Sequence, residues 1–200
     1  SEQIEQLRRI EDIQADKLDL VDAAIDSCNA IIGIDSEALS HYRRLDALLT
    51  RAERWDELAT NLTTQTILVD DTEDELMLQS RLAQVQEDQL QDVEAAIETH
   101  ARILDVNPEH ADTIAVLERL FEAPETAESV ADLLEPVHRA SGNWQALLRV
   151  HEAQKNKAHA PDDQVRYAFA MAALHEEQGQ DLQSAMGQYA EALRIQPENK

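Results

Sequence analysis

The sequence predicts an all-α fold of stacked helical hairpins, and three observations predict it. Glycine (4), proline (5) and aromatics (4%) are scarce in the 200 residues, which disfavours strands and tight turns. Apolar residues recur at three- and four-residue steps, the period of an amphipathic helix. One helix-and-stop phrase is also written three times. "QDVEAAIETHARILDVNPEH" (91–110) returns as "QDLQSAMGQYAEALRIQPEN" (180–199), and an earlier version, "KLDLVDAAIDSCNAIIGIDSE", begins at Lys17.

Residues 82–110 placed on 171–199, an offset of 89, share ten identities in 29 positions, including Ala96/Ala185, Leu104/Leu193, Pro108/Pro197 and Glu109/Glu198. The same offset lays Trp55 on Trp144, the only two tryptophans. At an offset of 72, Leu18, Val21, Ala24, Ile25 and Ile31 match Leu90, Val93, Ala96, Ile97 and Ile103. Chance would supply about one or two identities per window, and duplication at such periods marks a solenoid.

Eleven helices follow in order: 2–16, 19–33, 36–51, 54–69, 72–89, 91–106, 109–122, 126–140, 143–158, 161–178 and 181–195. Thr72-Glu73-Asp74-Glu75 has capping-box spacing for the fifth. Asn107-Pro108 and Ala160-Pro161 place proline in a first turn, with Asn107 a cap. Asp35, Thr126 and Asn143 are further cap candidates. In the sixth helix Val93, Ala96, Ile97, His100 and Leu104 form one buried stripe, matched by Val21, Ala24, Ile25, Cys28, Ile32 and by Leu182, Ala185, Met186, Tyr189, Leu193. The small Ala in each stripe lets two helices approach closely, and stacked neighbours bury what no helix buries alone.

The two offsets differ by 17 residues, about one helix and its loop. The surplus falls between Pro108 and Trp144, so 109–122 is expected as an extra, unpaired helix. With Pro136, which removes a hydrogen bond and should kink the eighth helix, it is expected to bend the array or open a shallow pocket near its centre. The two tryptophans are expected to pack hairpins together.

Gly179, Ala185, Tyr189, Ala192 and Pro197 in "QGQDLQSAMGQYAEALRIQP" carry a resemblance to degenerate tetratricopeptide repeats of the kind strung along large bacterial proteins. "DVEAAIETHARILDVNP" keeps Ala96 and Pro108 of the pattern. "AERWDELATN" and "SGNWQALLRV" resemble the turn and second helix of the unit. The resemblance implies a right-handed α-α superhelix of about five hairpins, paired as 2–33, 36–69, 72–106, 126–158 and 161–195, in one elongated domain over 1–200. A start at "SEQIEQLRRIEDIQ" and an end at "QPENK" lead us to expect a piece of a longer chain.

Net charge is −24, from 41 acids against 17 bases. Nucleic acid and anionic membrane are excluded as expected partners, since both need clustered Lys and Arg. No apolar run nears the roughly 20 residues that span a bilayer. One cysteine, Cys28, fits a reducing compartment, and a cytoplasmic location is expected. The spread of acids along the helices reads as a solvated, self-repelling surface.

Chemistry is not expected. The seven histidines form no HExxH or close ligand pair, so no metal is expected. The four scattered glycines build no phosphate loop, so no cofactor is expected. Cys28 and Ser141 lack an activating arrangement. No catalytic residue is proposed, and the chain is read as not an enzyme.

A protein or peptide partner is expected instead, received by a non-catalytic scaffold. Tetratricopeptide-like arrays line a concave groove with the first helix of each pair. That carries over to Arg8, Arg43, Met77, Ser80, Gln84, Arg139, Arg166 and Phe169, with Glu5, Asp12, Ser40, Ala47, Ser129, Asp132 and Ala173 beside them. Lysine occurs only at 17, 155, 157 and 200, so the Lys/Asn set that clamps chaperone C-termini is missing. The alternative is a structural or regulatory spacer contacting its own longer chain.

Overall fold

A computed structural model describes residues 2–197, so Glu198 of the repeat match lies outside the described residues. Among the described residues eleven α-helices run in order with no strand: α1 (Glu2–Asp12), α2 (Val21–Ile34), α3 (Leu39–Arg51), α4 (Trp55–Leu68), α5 (Thr72–Gln84), α6 (Val93–Val106), α7 (Ala111–Phe121), α8 (Pro124–Ser141), α9 (Trp144–Lys157), α10 (Pro161–Glu177) and α11 (Leu182–Ile195). They fall into two compact units, Ser1–Val106 with α1–α6 and Asn107–Lys200 with α7–α11. Within each unit every helix packs against its neighbours in sequence. Each unit is thus a stack of helical hairpins, the all-α repeat architecture that the duplicated phrase predicts.

The duplication is written in the backbone of the turns. α1 and α5 each end in a more widely wound turn, Ile13–Lys17 and Val85–Gln89, 72 residues apart. Leu18 and Leu90 amides donate to the carbonyls of Ile13 and Val85, both at 3.1 Å; Leu20 and Asp92 amides donate to Gln14 and Gln86, both at 2.8 Å. The third copy repeats this with Gly179 to Leu174 at 3.1 Å and Asp181 to His175 at 2.9 Å. The α3–α4 and α8–α9 turns are tighter. There Arg54 and Asn143 amides reach back five residues to Leu49 and His138, each at 3.0 Å, as in a Schellman cap.

Each of these five turns holds one residue in left-handed backbone: Asp19, Glu53, Gln91, Gly142 and Gln180, with φ from 51° to 68°. Among the described residues no other position has positive φ, so this backbone marks the turn inside a hairpin and never the link between hairpins. It also sets the expected pairs apart from α7, whose link to α8 lacks it.

A core cluster of unit 1 joins Ala24, Ile25 and Cys28 of α2, Leu45, Leu48 and Leu49 of α3, Leu58 and Leu62 of α4, and Leu82 and Val85 at the end of α5. Trp55 and Leu90 pack against it, in keeping with a packing role for the tryptophan. In unit 2 Val130, Ala131, Leu134, Leu147 and Val150 are buried, and Val165 and Ala168 of α10 pack on Ala192 of α11. The small residues expected to permit close approach, Ala24, Ala96 and Ala185, are all buried.

Several local expectations are corrected. α5 is capped by Asp71, which accepts from the Glu73 and Asp74 amides, rather than by Thr72. Asn107 accepts from Glu109, but α7 starts later, with His110 as its cap. Asp35 closes α2 instead of opening α3. α8 begins at Pro124, using proline at its first turn, while Thr126 ties its hydroxyl back to the Ala123 carbonyl at 3.3 Å. Asn143 caps α9 as expected. The stripe on α11 is not buried: Leu182, Met186 and Leu193 are exposed, because no described helix lies over that side.

Candidate functional site

First helices α3 and α5 lie side by side in unit 1 and leave a cleft of about 700 Å³ between them. Arg43, Ala47 and Thr50 line it from α3; Asp74, Met77, Leu78 and Arg81 line it from α5. Its floor is polar, with its charges paired to each other. Buried Asp46 holds Arg81 at 2.6 Å and accepts from Gln65 at 3.3 Å, and Arg81 also donates to Thr50 at 3.1 Å. Gln65 is itself buried and its Oε1 has no hydrogen-bond partner. Above this floor Met77 is 61% exposed, and Arg43 holds Asp74 at 2.8 Å on the open side.

The two rim and floor pairs differ in strength. Arg43–Asp74 is solvent-exposed, and such pairs contribute about 0–1 kcal/mol, so an incoming carboxylate can exchange with Asp74. Asp46 is buried, and removing its partner leaves a charge with nowhere to go. The floor therefore stays and the rim can open.

A second recess of about 400 Å³ lies where α1, α2 and α3 meet, lined by Arg8, Glu11, Cys28, His41 and Arg44 among others. Burial raises the Glu11 carboxyl above its usual range, against the pull of Arg44, which binds it at 2.7 Å. The Cys28 thiol donates to the His41 carbonyl at 3.4 Å; burial, then the Glu11 charge, pushes it up to about 11. A thiol so protonated is a poor nucleophile. Arg8 stands at the mouth, 3.5 Å from His41 Nδ1.

Of the residues expected on a groove, Arg43, Met77 and Ala47 are brought together at the α3–α5 cleft. Arg8, Asp12 and Ser40 line the second recess. Gln84 is exposed and Ser80 half-buried, its hydroxyl turned to the Leu76 carbonyl at 2.8 Å. Glu5, also in unit 1, pairs with Arg9 at 3.4 Å; the rest belong to unit 2. Arg139 pairs with Glu135 at 2.6 Å; Arg166 lies over the Tyr167 ring at 4.8 Å; exposed Phe169 meets Tyr189 at 5.7 Å. None of these three lines the unit 1 cleft.

The floor residues Asp46, Gln65 and Arg81 were not singled out from sequence. The available signal was an acid inside the apolar run "RLDALL" and an Arg 35 residues on, close to one hairpin length.

Among the described residues no group of three His, Cys, Asp or Glu side chains is placed to hold a metal ion. No described helix is long and apolar enough to cross a membrane.

No protein-family model and no curated protein matches the chain. Three solved structures similar to it are MamA (15% identity, TM-score 0.43, covering 98% of this chain and 93% of that one), YrrB, described as a TPR protein with an unusual peptide-binding site (12%, 0.37, 96% and 85%), and BtubC from P. vanneervenii (17%, 0.37, 97% and 80%). These overlaps are loose, and neither ligand nor partner is carried from those proteins to this chain.

Proposed function

We propose that the chain is a non-catalytic scaffold that receives an extended segment of a partner protein on the exposed sides of its first helices, centred on the α3–α5 cleft. The observation that supports this most directly is the pairing of a buried Asp46–Arg81 floor with exposed Met77 and an exchangeable Arg43–Asp74 rim. Met77, Leu78 and Ala47 offer surface to a bulky apolar side chain, and Arg43 offers a guanidinium to a neighbouring carboxylate. Arg8, Ser80 and Gln84 would extend contact along unit 1. Arg139, Arg166 and Phe169 would form a separate contact on unit 2.

Selection from a random peptide library against the chain tests the reading. Selected peptides should carry an apolar residue near an acid. Met77→Glu and Arg43→Glu should each weaken them about tenfold or more, equivalent to about 1.4 kcal/mol, while Arg102→Glu on α6 leaves binding unchanged. Peptides that bind every variant equally would sink the cleft as the site.

A further inference from the structure

The duplicated hairpins differ at one hydrogen bond, and the difference falls in the α3–α5 cleft. At the 89-residue offset, Asp46, Leu62 and Gln65 of unit 1 stand at Glu135, His151 and Gln154 of unit 2. Both ends of the Gln154 amide are partnered. Its Nε2 donates to Asp132 at 2.9 Å and to Glu135 at 2.8 Å, which fixes the orientation of the amide. Its Oε1 lies 2.9 Å from His151 Nδ1, which is therefore the donor. Gln65 keeps only half of this arrangement. Its Nε2 donates to Asp46 at 3.3 Å, and repulsion between carboxylate and carbonyl oxygens keeps the amide from turning over. Its Oε1 has no donor, since Leu62, buried in the apolar cluster, stands where the histidine stands in the second copy. Gln65 is 1% exposed and lines the cleft. A buried acceptor without a donor is unfavourable, and a donor brought in through the cleft relieves it.

We propose that the partner segment anchors in this cleft through a tryptophan or tyrosine whose N–H or O–H donates to Gln65 Oε1. The proposal rests on the reading of the cleft as the partner site and names the side chain that fills it. The donor has to ride on a large apolar body, because Ala47, Met77 and Leu78 line the same cleft. Indole and phenol join a ring to a single polar tip, and that tip takes a hydrogen-bond partner when buried. The Met77 thioether favours an aromatic ring over an aliphatic chain. Serine and threonine donate too, but leave the apolar lining uncovered. Lysine or arginine would bring a further cation beside Arg81, whose guanidinium already occupies Asp46 at 2.6 Å, and an unpaired buried charge is costly. A cleft of about 700 Å³ has room for either ring.

Peptides selected from a random library on the full 200-residue chain supply the probe. The apolar residue they share should be tryptophan or tyrosine, in preference to phenylalanine or leucine. Resynthesis then removes the donor alone: 3-benzothienylalanine replaces tryptophan, with sulfur in place of N–H, and phenylalanine replaces tyrosine. Either exchange should weaken binding about tenfold, the scale of one hydrogen bond to a buried group. On Gln65→Leu the exchange should make no difference. Circular dichroism checks folding, and Gln65→Met replaces that variant if it fails. Donor-free anchors that bind the parent chain as tightly, yet still weaken on Met77→Glu and Arg43→Glu, overturn the donor and leave the cleft standing. A donor effect that persists on Gln65→Leu overturns Gln65 as the acceptor. Peptides indifferent to Met77 and Arg43, or no selected peptide at all, sink the cleft and this inference together.

Discussion

Trp144 lies directly against Gly179: a methyl group placed on Gly179 would sit 3.1 Å from the indole Cη2 and 3.1 Å from the His175 carbonyl oxygen. The tryptophan that opens α9 thus rests on the turn between α10 and α11. The carbonyl belongs to a helix and cannot retreat, so any relief must come from the ring. Gly179→Ala is expected to cost about 1 kcal/mol by overpacking, and Trp144→Ala about 2 kcal/mol, since the ring is only half-buried. In urea melts the alanine penalty at 179 should shrink in the Trp144→Ala background, leaving only the part due to the His175 carbonyl. Simple additivity of the two would refute the contact as its cause.

The left-handed turn residues give a second prediction. Gln91 stands at φ 54° with a full side chain, where Gly142 does the same task at φ 68°. Left-handed backbone costs an L-residue about 1–2 kcal/mol. Gln91→Gly should raise stability by about 1 kcal/mol and Gly142→Ala lower it by a similar amount. Denaturant midpoints moving the other way would show that the strain lies elsewhere.

Asp46 and Arg81 form a third case. Asp46→Ala leaves buried Gln65 without its acceptor and frees Arg81, which is 43% exposed and can turn to water, so it should cost about 1–2 kcal/mol. Asp46→Leu with Arg81→Met removes both charges and should return to within about 1 kcal/mol of the parent. Equal losses in both variants would mean that volume, not charge, governs the floor.

Burial holds the imidazole of His138 below its usual 6.5, with nearby Glu118 opposing and Arg149 assisting. The unfolded chain therefore takes up this proton at a higher pH than the folded one. Stability from His138 is complete above 6.5 and is lost as pH falls through the lower folded value. Burial also acts against Glu135, but hydrogen bonds from Gln154 and Arg139 outweigh it and lower its pKa from 4.5, so its contribution fades further into acid. His138→Leu should flatten the fall in urea midpoint just below pH 6.5 and leave the more acidic fall in place. An unchanged curve would rule His138 out.

Cys28, with its thiol pushed up to about 11, should react with a disulfide reagent only at the rate of unfolding near neutral pH. Adding urea should release it fully. Rapid labelling of the native chain would contradict its burial.

The helices were legible because apolar stripes at helical spacing continue across a repeated phrase, and Ala24, Ala96 and Ala185 sit buried where that phrase places them. Boundaries were less so: Pro124 belongs to α8 although "EAPET" reads as a linker, since proline at a first turn looks like proline in a loop. The cleft was half legible. Arg43 and Met77 lie on its rim, but Asp46 and Arg81 meet only once two hairpins are stacked. The α11 stripe misled for a related reason: a duplicated stripe is present whether or not a neighbour covers it.

The turn bonds at Leu18, Leu90 and Gly179 run from amide to carbonyl, groups that mutation leaves in place at almost any residue. Tandem duplicates held this way can drift far apart in wording while keeping their bends, so divergence itself is cheap here. A lineage can then specialise one hairpin's outer face without rebuilding its neighbours, and dissimilar neighbours are less prone to exchange segments while folding.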